Sequence, residues 1–424
     1  MINRRALARV GMLAALACSA FVGRAVAEDW PSFRGPTGMG ICTEAGLPLE
    51  WGADGKNVLW KTPLLATSRE GTADHNQSSP IVWRDRVFVT TALWPTKEKQ
   101  EIPEQHVTCY RVADGEQLWD TQVPAGPWKL TDLRGGYAAP TPATDGQRVY
   151  VVFGSAVLAA LDWDGKIVWR KELPDWQAFD VAVASSPILY RGQLLLLADR
   201  NQKKSSLTAY DPATGDVLWE KKRPDGAFTH TTPVLIEHGG QPQLLVTASN
   251  ELQALNPTNG ERLWWCKTPG DVTSPVFARG LVYTDSGRGG PGILVDANGQ
   301  GDLAGQIKWK IGQIPEGLSS PVIVGDYLYR LHNPGVLKCV DMRDGQETYA
   351  TRLAGVSVAS SPIATPEGRL YLASGGKSFV IKAGPTFEML ATNDLGEPCL
   401  ASAAVSGGKL FLKGQRHLFC VGSK

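Results

Sequence analysis

The stretch DPATGDVLW at residues 211–219 places a tryptophan four residues after a glycine, and this spacing recurs along the chain. The turn that ends at Gly215 is predicted to be a tight hairpin, in which glycine accepts a positive φ that a β-carbon would oppose. Trp219 then falls on the outer strand of a small sheet, where packing against a neighbouring sheet buries ~150–250 Å². The further pairs at this spacing are Gly115–Trp119, Gly165–Trp169, Gly260–Trp264, Gly305–Trp309 and, with tyrosine, Gly345–Tyr349.

A second marker, a small residue and a proline followed by a short apolar strand, precedes these pairs. Its prolines recur mostly every 41 to 46 residues, at positions 80, 142, 187, 233, 275, 321 and 362, and a degenerate copy reads ASAAV at 401–405. Within each unit, turn signals separate four short strands, which is typical of one propeller blade. Eight units predict an all-β, eight-bladed β-propeller of four-stranded antiparallel blades.

The two ends of the repeat array complement each other. The last unit, 401–424, stops after its third strand, whereas an orphan tryptophan strand, NVLWKTP, stands near the beginning at 57–63. We therefore expect the N-terminal strand to complete the last blade and to close the ring, which removes free sheet edges. The predicted domains are a signal peptide at 1–27, an N-terminal extension at 28–46 and the propeller at 47–424.

The first 27 residues have the pattern of a secretory signal. Arg4, Arg5 and Arg9 form a basic region, residues 10–23 are apolar, and Ala25-Val26-Ala27 is a cleavage pattern. These features predict export to the periplasm or extracytoplasmic envelope. They leave open the general secretory or twin-arginine route and a lipid anchor at Cys18.

The charge balance bears on two classes of partner, nucleic acids and membrane surfaces. Removal of residues 1–27 takes away four arginines and no acids, which changes the formal net charge from +1 to −3. A nearly neutral chain gives no support for nucleic-acid or membrane-surface binding. After residue 23 no apolar stretch is long enough for a transmembrane helix, and we expect a monomer.

The repeats resemble those of the pyrroloquinoline quinone (PQQ)-like family over residues 47–424. The segment WPSFRGPTGMG at 30–40 is similar to the one that precedes the propeller in extracytoplasmic bacterial members, of the outer-membrane-assembly scaffold type. The resemblance implies an eight-bladed propeller. It leaves function open, because the family holds quinoprotein dehydrogenases as well as non-enzymatic scaffolds.

The cysteines and acidic loops predict no metal site. Cys109, Cys339 and Cys420 take the third-strand position that alanine fills in other blades, so we interpret them as packing residues. A disulfide among Cys42, Cys266 and Cys399 stays open. The loop DANGQGD at 296–302 lacks the glutamate of a calcium loop, and there is no C-x-x-C.

Strand parity sorts the loops onto two faces. Turns between first and second strands and between third and fourth strands share one face, and they are short and uniform. Loops between second and third strands and the connections between blades share the other face, which is irregular and is the predicted binding face. The candidate ligand-binding residues on that face are Trp128, Arg134, Trp176, Arg200, His230, Arg288 and His332.

Two hypotheses of function follow. The first is a non-catalytic extracytoplasmic binding or scaffold protein, without a cofactor, that binds a protein or glycan on the irregular face. The second, implied by the resemblance, is a PQQ-dependent oxidoreductase with PQQ and Ca²⁺ in the central funnel. In that case Arg134, Arg200 and Arg288 would meet the carboxylates of PQQ, and Asp180 would be the catalytic base.

Overall fold

The chain folds into a ring of eight β-sheets. In this computed structural model the described residues are 28–96, 102–130, 135–173, 184–199, 205–223, 229–248, 250–268, 270–356, 360–399 and 401–423. Every sheet contains four strands in antiparallel sequence, and two sheets carry one short extra strand. The predicted eight-bladed propeller is confirmed. The predicted signal peptide lies outside the described residues.

The blades follow one another along the chain, and each begins at its innermost strand. The first strand, β1 (Val58–Pro63), belongs to blade 8. Blade 1 contains β2 (Thr72–Ala73), β3 (Ile81–Trp83), β4 (Arg86–Trp94), β5 (Glu104–Arg111) and β6 (Gln117–Val123), and blade 2 contains β7 (Ala143–Thr144), β8 (Arg148–Phe153), β9 (Val157–Asp162) and β10 (Ile167–Glu172). Blade 3 contains β11 (Ile188–Tyr190), β12 (Gln193–Ala198), β13 (Ser206–Tyr210) and β14 (Val217–Lys222), and blade 4 contains β15 (Val234–His238), β16 (Gln241–Ala248), β17 (Glu251–Leu255) and β18 (Arg262–Lys267).

Blades 5 to 8 repeat the pattern with two irregularities. Blade 5 contains β19 (Val276–Ala278), β20 (Leu281–Asp285), β21 (Gly292–Asp296) and β23 (Ile307–Ile311), and the short β22 (Gly301–Asp302) between them joins blade 4. Blade 6 contains β24 (Val322–Val324), β25 (Tyr327–His332), β26 (Val336–Asp341) and β27 (Glu347–Arg352), and blade 7 contains β28 (Ile363–Ala364), β29 (Arg369–Ser374), β30 (Lys377–Lys382) and β31 (Glu388–Asn393). Blade 8 contains β32 (Ala404–Ser406), β33 (Lys409–Lys413) and β34 (His417–Gly422) in addition to β1. The helical elements in the described ranges are α1 (Leu65–Ser68) and a 3₁₀ turn, Ala304–Gln306. Neither is long and apolar enough to cross a membrane.

The N-terminal strand closes the ring as predicted. β1 pairs antiparallel with β34, and Trp60 stands opposite Cys420 in that ladder. The resulting order β1-β34-β33-β32 is a complete blade built from both ends of the chain. Trp60 is buried and its indole Nε1 donates to the carbonyl of Val112 in blade 1, at 2.9 Å. The closing strand is therefore tied to the next blade as well as to its own.

The recurring glycine and tryptophan meet across the blade boundaries. A β-carbon added to Gly215 in blade 3 would lie 2.7 Å from the ring of Trp169 in blade 2, and Gly165 stands in the same relation to Trp119 of blade 1. The indole Nε1 of Trp169 donates to Pro212 O in that turn, at 3.0 Å. Glycine is thus required twice, for its positive φ of 74° and for the space the indole takes.

Blade 5 departs from the predicted repeat. Gly305 lies in the 3₁₀ turn, and a β-carbon there would meet nothing within 4 Å. The prediction that Gly305 and Trp309 form another hairpin-turn pair is wrong, because the chain between β21 and β23 is long enough to add β22 to blade 4 instead. Trp309 itself keeps its place against Gly345 of blade 6, where an added β-carbon would lie 2.8 Å from the indole ring.

The N-terminal extension crosses the end of the ring where the short uniform turns lie, and we call residues 28–46 the axial segment. Trp30 exchanges backbone hydrogen bonds with Val82 of blade 1. Further along, Gly40 and Cys42 bond to Ala364 of blade 7. The Glu44 carboxylate accepts from the amides that follow β32 in blade 8. The segment therefore links the inner strands across the axis.

All six cysteines in the described residues are buried free thiols, so the disulfide left open among Cys42, Cys266 and Cys399 is not formed. The expected packing role of Cys109, Cys339 and Cys420 is confirmed by their complete burial. Burial raises the pKa of the Cys109 thiol to about 12. Burial raises the pKa of the other five thiols as well, which predicts little thiolate at neutral pH.

Candidate functional site

The loop face, formed by the second-to-third-strand loops and the blade connections, opens into a funnel on the propeller axis. Its walls include Gln77, His230, Val272 and Leu318, and Phe33 of the axial segment forms its floor. The cavity has a volume of about 130 Å³. Pockets for small molecules are typically about 300–1,000 Å³, so the part of the funnel that the structure describes is small.

A ring of hydroxyl groups lines this funnel, one from each of blades 2 to 8, at the residue before the recurring proline or, in blade 8, before Ala403. Each hydroxyl oxygen accepts the backbone N–H of the equivalent residue in the preceding blade, at 2.8 to 3.2 Å. The members of this hydroxyl ring are Thr141, Ser186, Thr232, Ser274, Ser320, Ser361 and Ser402. The serine–proline marker in the sequence did not predict this role.

The hydroxyl ring is interrupted between blades 8 and 1, where the side chain of Lys413 makes the hydrogen bonds between the two blades. Ser79 Oγ in blade 1 is buried and has no hydrogen-bond partner among the described residues. Beside it, Lys413 Nζ of blade 8 donates to Ser78 O, to Ser78 Oγ and to Thr90 O, at 2.8 to 3.0 Å. Burial lowers the pKa of Lys413 to about 7. A lysine thus joins blade 8, which both ends of the chain complete, to blade 1.

Arg288 and His230 lie near each other at the boundary of blades 4 and 5. Arg288 Nε is 2.6 Å from Asp271 Oδ2, and His230 N donates to Asp271 O at 2.6 Å. Burial raises the pKa of Asp271, and the positive charge of Arg288 opposes that effect. Because Arg288 is already paired, it is poorly suited to bind the carboxylate of a ligand.

His332 does not project from the loop face, and that prediction is wrong. Its side chain is 3% exposed at the end of β25, and its Nδ1 lies 3.0 Å from Pro315 O. Burial lowers the pKa of His332 to about 4, which keeps the imidazole neutral. It packs beside the buried pair of Arg330 and Asp285, whose Nε and Oδ2 are 2.8 Å apart. No turn or periodicity signal in the sequence indicated that β25 continues to His332.

Trp128 belongs partly to the core. Its ring packs against the apolar clusters of blades 1 to 3, and its backbone N–H donates to Ser155 O. The indole Nε1 is buried without a hydrogen-bond partner among the described residues. Four further candidates, Arg134, Trp176, Asp180 and Arg200, lie outside the described residues.

A pocket that the sequence analysis missed lies on the loop face between blades 8 and 1. It has a volume of about 210 Å³, and its lining includes Asp74, His75, Asn76, Lys413 and Gln415. Asp74 Oδ2 accepts the backbone N–H of Tyr137 at 2.5 Å, so that carboxylate holds the neighbouring connection in place. His75 and Gln415 are exposed at the rim and free to meet a partner. Their sequence context carried no motif.

The described residues do not fit PQQ with Ca²⁺. PQQ carries three carboxylates, yet of the three arginines proposed for it only Arg288 is described, and it is paired with Asp271. In the described ranges no cluster of three or more His, Cys, Asp or Glu side chains could hold a metal ion. The described lining of the funnel is the Phe33 ring, hydroxyl groups, His230, Gln77 and small or apolar residues, and no arginine or lysine is among the lining residues.

Comparisons with known proteins agree on the fold. A family model described as outer membrane protein assembly factor BamB matches residues 103–351, more than half of the chain. The outer membrane protein assembly factor BamB of Yersinia pestis is 24% identical over 280 residues, which cover 60% of this chain and 65% of that relative. The match thus spans slightly less than two thirds of the relative's length.

Two solved structures share the architecture. BamB from Moraxella catarrhalis superposes with a TM-score of 0.60 at 11% identity and covers 86% of this chain and 98% of its own. A europium-containing methanol dehydrogenase superposes with a TM-score of 0.67 at 11% identity and covers 91% of this chain and 89% of its own. At this identity both likenesses establish the fold alone, which a scaffold and an enzyme share.

Proposed function

This chain belongs to the family of the outer membrane protein assembly factor BamB, and on that premise we propose that it is a non-catalytic binding or scaffold protein of the cell envelope. Its partner is a protein that docks on the loop face, and the relatives point to the outer membrane assembly machinery as the setting. The predicted signal peptide accords with a location in the periplasm. A lipid anchor at Cys18 stays a prediction.

The observation that carries the proposal is the relief of the loop face at blade 1. β4 and β5 extend for nine and eight residues, against six in each of the equivalent strands of blade 2. β2 pairs with the far end of β4, with Thr72 opposite Trp94, and so widens the raised hairpin. A raised wall beside an open pocket suits contact with a macromolecule, whereas the described part of the funnel, at about 130 Å³, is small for a substrate.

The rim next to this wall has the mixed chemistry of a protein contact. Arg69 is 44% exposed and bonds to Asp120 at 3.0 Å, so its guanidinium is held in a fixed position. His75 and Gln415 are exposed on either side of the pocket, and Arg416 is exposed beside Gln415. Arginine is enriched at protein interfaces, and pre-ordered side chains lose less entropy on binding.

Photocrosslinking from single positions tests the proposal. A photoreactive amino acid replaces Gln415 on the loop face, and the matched control replaces Arg279, which is exposed on the opposite face. We expect a discrete protein adduct from position 415 in the intact envelope and none from position 279. Equal labelling from both positions, or labelling from neither, would contradict docking on the loop face. Adducts with glycan alone would identify the other class of partner.

The oxidoreductase hypothesis has a separate test. The protein that begins at Glu28 is titrated with PQQ, with and without Ca²⁺, and tryptophan fluorescence and Tm are followed. We expect neither quenching nor a rise in Tm. A saturable response that Arg288→Ala abolishes would replace the scaffold proposal with the enzymatic one, because that arginine would then leave Asp271 to bind the cofactor.

A further inference from the structure

The axial segment buries an arginine that lacks a counter-ion. The Arg34 side chain is 1% exposed, and its Nη2 donates to Met39 O at 2.7 Å and to Pro321 O at 2.6 Å. Its Nε and Nη1 are buried and have no hydrogen-bond partner among the described residues. Burial lowers the pKa of Arg34 to about 9, so the guanidinium still carries a positive charge at pH 7.

The other buried arginines of the described chain are treated differently. Arg330 is held by Asp285, with Nε to Oδ2 at 2.8 Å, and Arg223 by Asp199, with Nε to Oδ1 at 2.7 Å. Arg34 is as deeply buried as either, yet within the described ranges no carboxylate lies within 4 Å of it. A buried charge without a partner is strongly destabilising, so a compensating anion is expected.

The fold makes room for the guanidinium at this place. A β-carbon on Gly40 would lie 3.0 Å from Arg34 Nη2 and 2.6 Å from Pro362 O, so only glycine leaves the space. Pro321 and Pro362 begin the inner strands of blades 6 and 7, and they directly follow Ser320 and Ser361 of the hydroxyl ring. The guanidinium therefore lies next to the base of the funnel, beside Phe33.

The surroundings supply donors and few acceptors. Each member of the hydroxyl ring already accepts a backbone N–H, and none donates its own hydrogen to another described residue. A hydroxyl that accepts one bond retains a hydrogen to give. The two ring hydroxyls closest to the guanidinium along the chain, those of Ser320 and Ser361, each directly precede a proline next to Arg34, two of whose nitrogens are unpaired. Converging donors with a net positive charge are the chemistry that binds an anion.

We propose that the propeller axis holds a small monovalent anion, of halide or formate size, between Arg34 and the hydroxyl ring. The anion neutralises the buried guanidinium and accepts hydrogen bonds from ring hydroxyls, and so it fixes the axial segment to the inner strands. The site lies at the base of the funnel and is independent of partner docking on the outer loop face.

Bromide is the probe, because its anomalous scattering identifies it. Crystals of the wild-type protein soaked in sodium bromide are expected to show an anomalous peak within hydrogen-bonding distance of Arg34. In solution, bromide replaces gluconate at constant ionic strength while Tm is recorded. We expect Tm to rise by about 3–6 °C as bromide approaches about 100 times its Kd.

Two variants separate specific binding from general salt effects. Arg34→Met removes the charge and keeps an unbranched apolar stem in place of the aliphatic part of arginine, and its Tm is expected not to respond to bromide. Arg279→Met, at an exposed arginine, is expected to respond like the wild type. A bromide response of equal size in Arg34→Met, or no anomalous peak at Arg34 in wild-type crystals, would overturn the proposal. If Arg34→Met does not fold, the diffraction experiment decides alone.

Discussion

The hydroxyl ring makes a prediction about a single oxygen atom. Ser361 Oγ accepts the N–H of Ser320 at 3.0 Å, and the two side chains are 4% and 3% exposed. Ser361→Ala removes the acceptor and leaves that amide unpaired, which destabilises by about 1–3 kcal/mol. Since Ser361 lines the funnel, water can reach the freed amide, and we expect a loss of about 1–2 kcal/mol.

Two variants calibrate this loss. Ser79→Ala changes the equivalent position in blade 1, where Oγ has no partner among the described residues, and it should alter stability by less than about 0.5 kcal/mol. Ser361→Thr keeps the hydroxyl, as Thr141 and Thr232 do at the same position, and should be close to the wild type.

Equilibrium urea unfolding, followed by tryptophan fluorescence, measures these differences. With an m-value of about 3 kcal/mol per M, Ser361→Ala should lower the midpoint by about 0.3–0.7 M. If Ser79→Ala lowered the midpoint as much as Ser361→Ala, the loss would come from the cavity and not from the hydrogen bond. A midpoint unchanged in Ser361→Ala would refute the assigned role of the ring.

Three further outcomes are expected from the same urea assay or from thiol chemistry. Gly215→Ala places a β-carbon 2.7 Å from the Trp169 ring and should destabilise by about 2–4 kcal/mol, whereas Gly192→Ala, with a similar φ of 75° and no neighbour within 4 Å, should lose only about 1–2 kcal/mol. The pKa of Lys413 is lowered in the folded state to about 7, so the unfolded chain binds more protons than the folded chain between pH 7 and 10.5. The free energy of unfolding of the wild type relative to that of Lys413→Met should therefore rise between pH 7 and 9, by at most about 1.4 kcal/mol per pH unit. A difference that does not change with pH would contradict the burial of a titrating amine. Ellman's reagent should find six thiols in the unfolded chain that begins at Glu28 and almost none in the folded protein, whereas four thiols after unfolding would reveal a disulfide.

The repeat architecture could be predicted from the sequence because each blade uses the same residue types at the same positions. A turn glycine, an outer-strand tryptophan and an inner-strand proline recur in order, and each has a local physical reason that a sequence displays. The role of the strand around Trp60 could be predicted as well, because the last unit lacked a tryptophan strand of its own. The prediction failed at Gly305 in blade 5. The glycine–tryptophan spacing matches the repeat, but the segment between β21 and β23 is longer than a hairpin turn and places Gly305 in a 3₁₀ turn.

The site was predicted only as a face. Strand parity assigned the irregular loops to one face, because successive antiparallel strands end alternately at the two faces of the propeller. It could not show that His332 stays inside the sheet, that Arg288 is held by Asp271, or that Lys413 reaches blade 1, because these contacts join residues from different blades or different strands.

The amino-acid sequence by itself determined the number of blades, their strand order and the closure of the ring, because these depend on short-range patterns repeated along the chain. Tertiary structure alone decided which side chains converge on the axis. The hydroxyl ring forms, and Arg34 reaches the inner strand of blade 6, only after the blades have closed, when residues as far apart as 34 and 321 come within hydrogen-bond distance. Burial then gives those groups the pairing, charge and pKa that the sequence does not display.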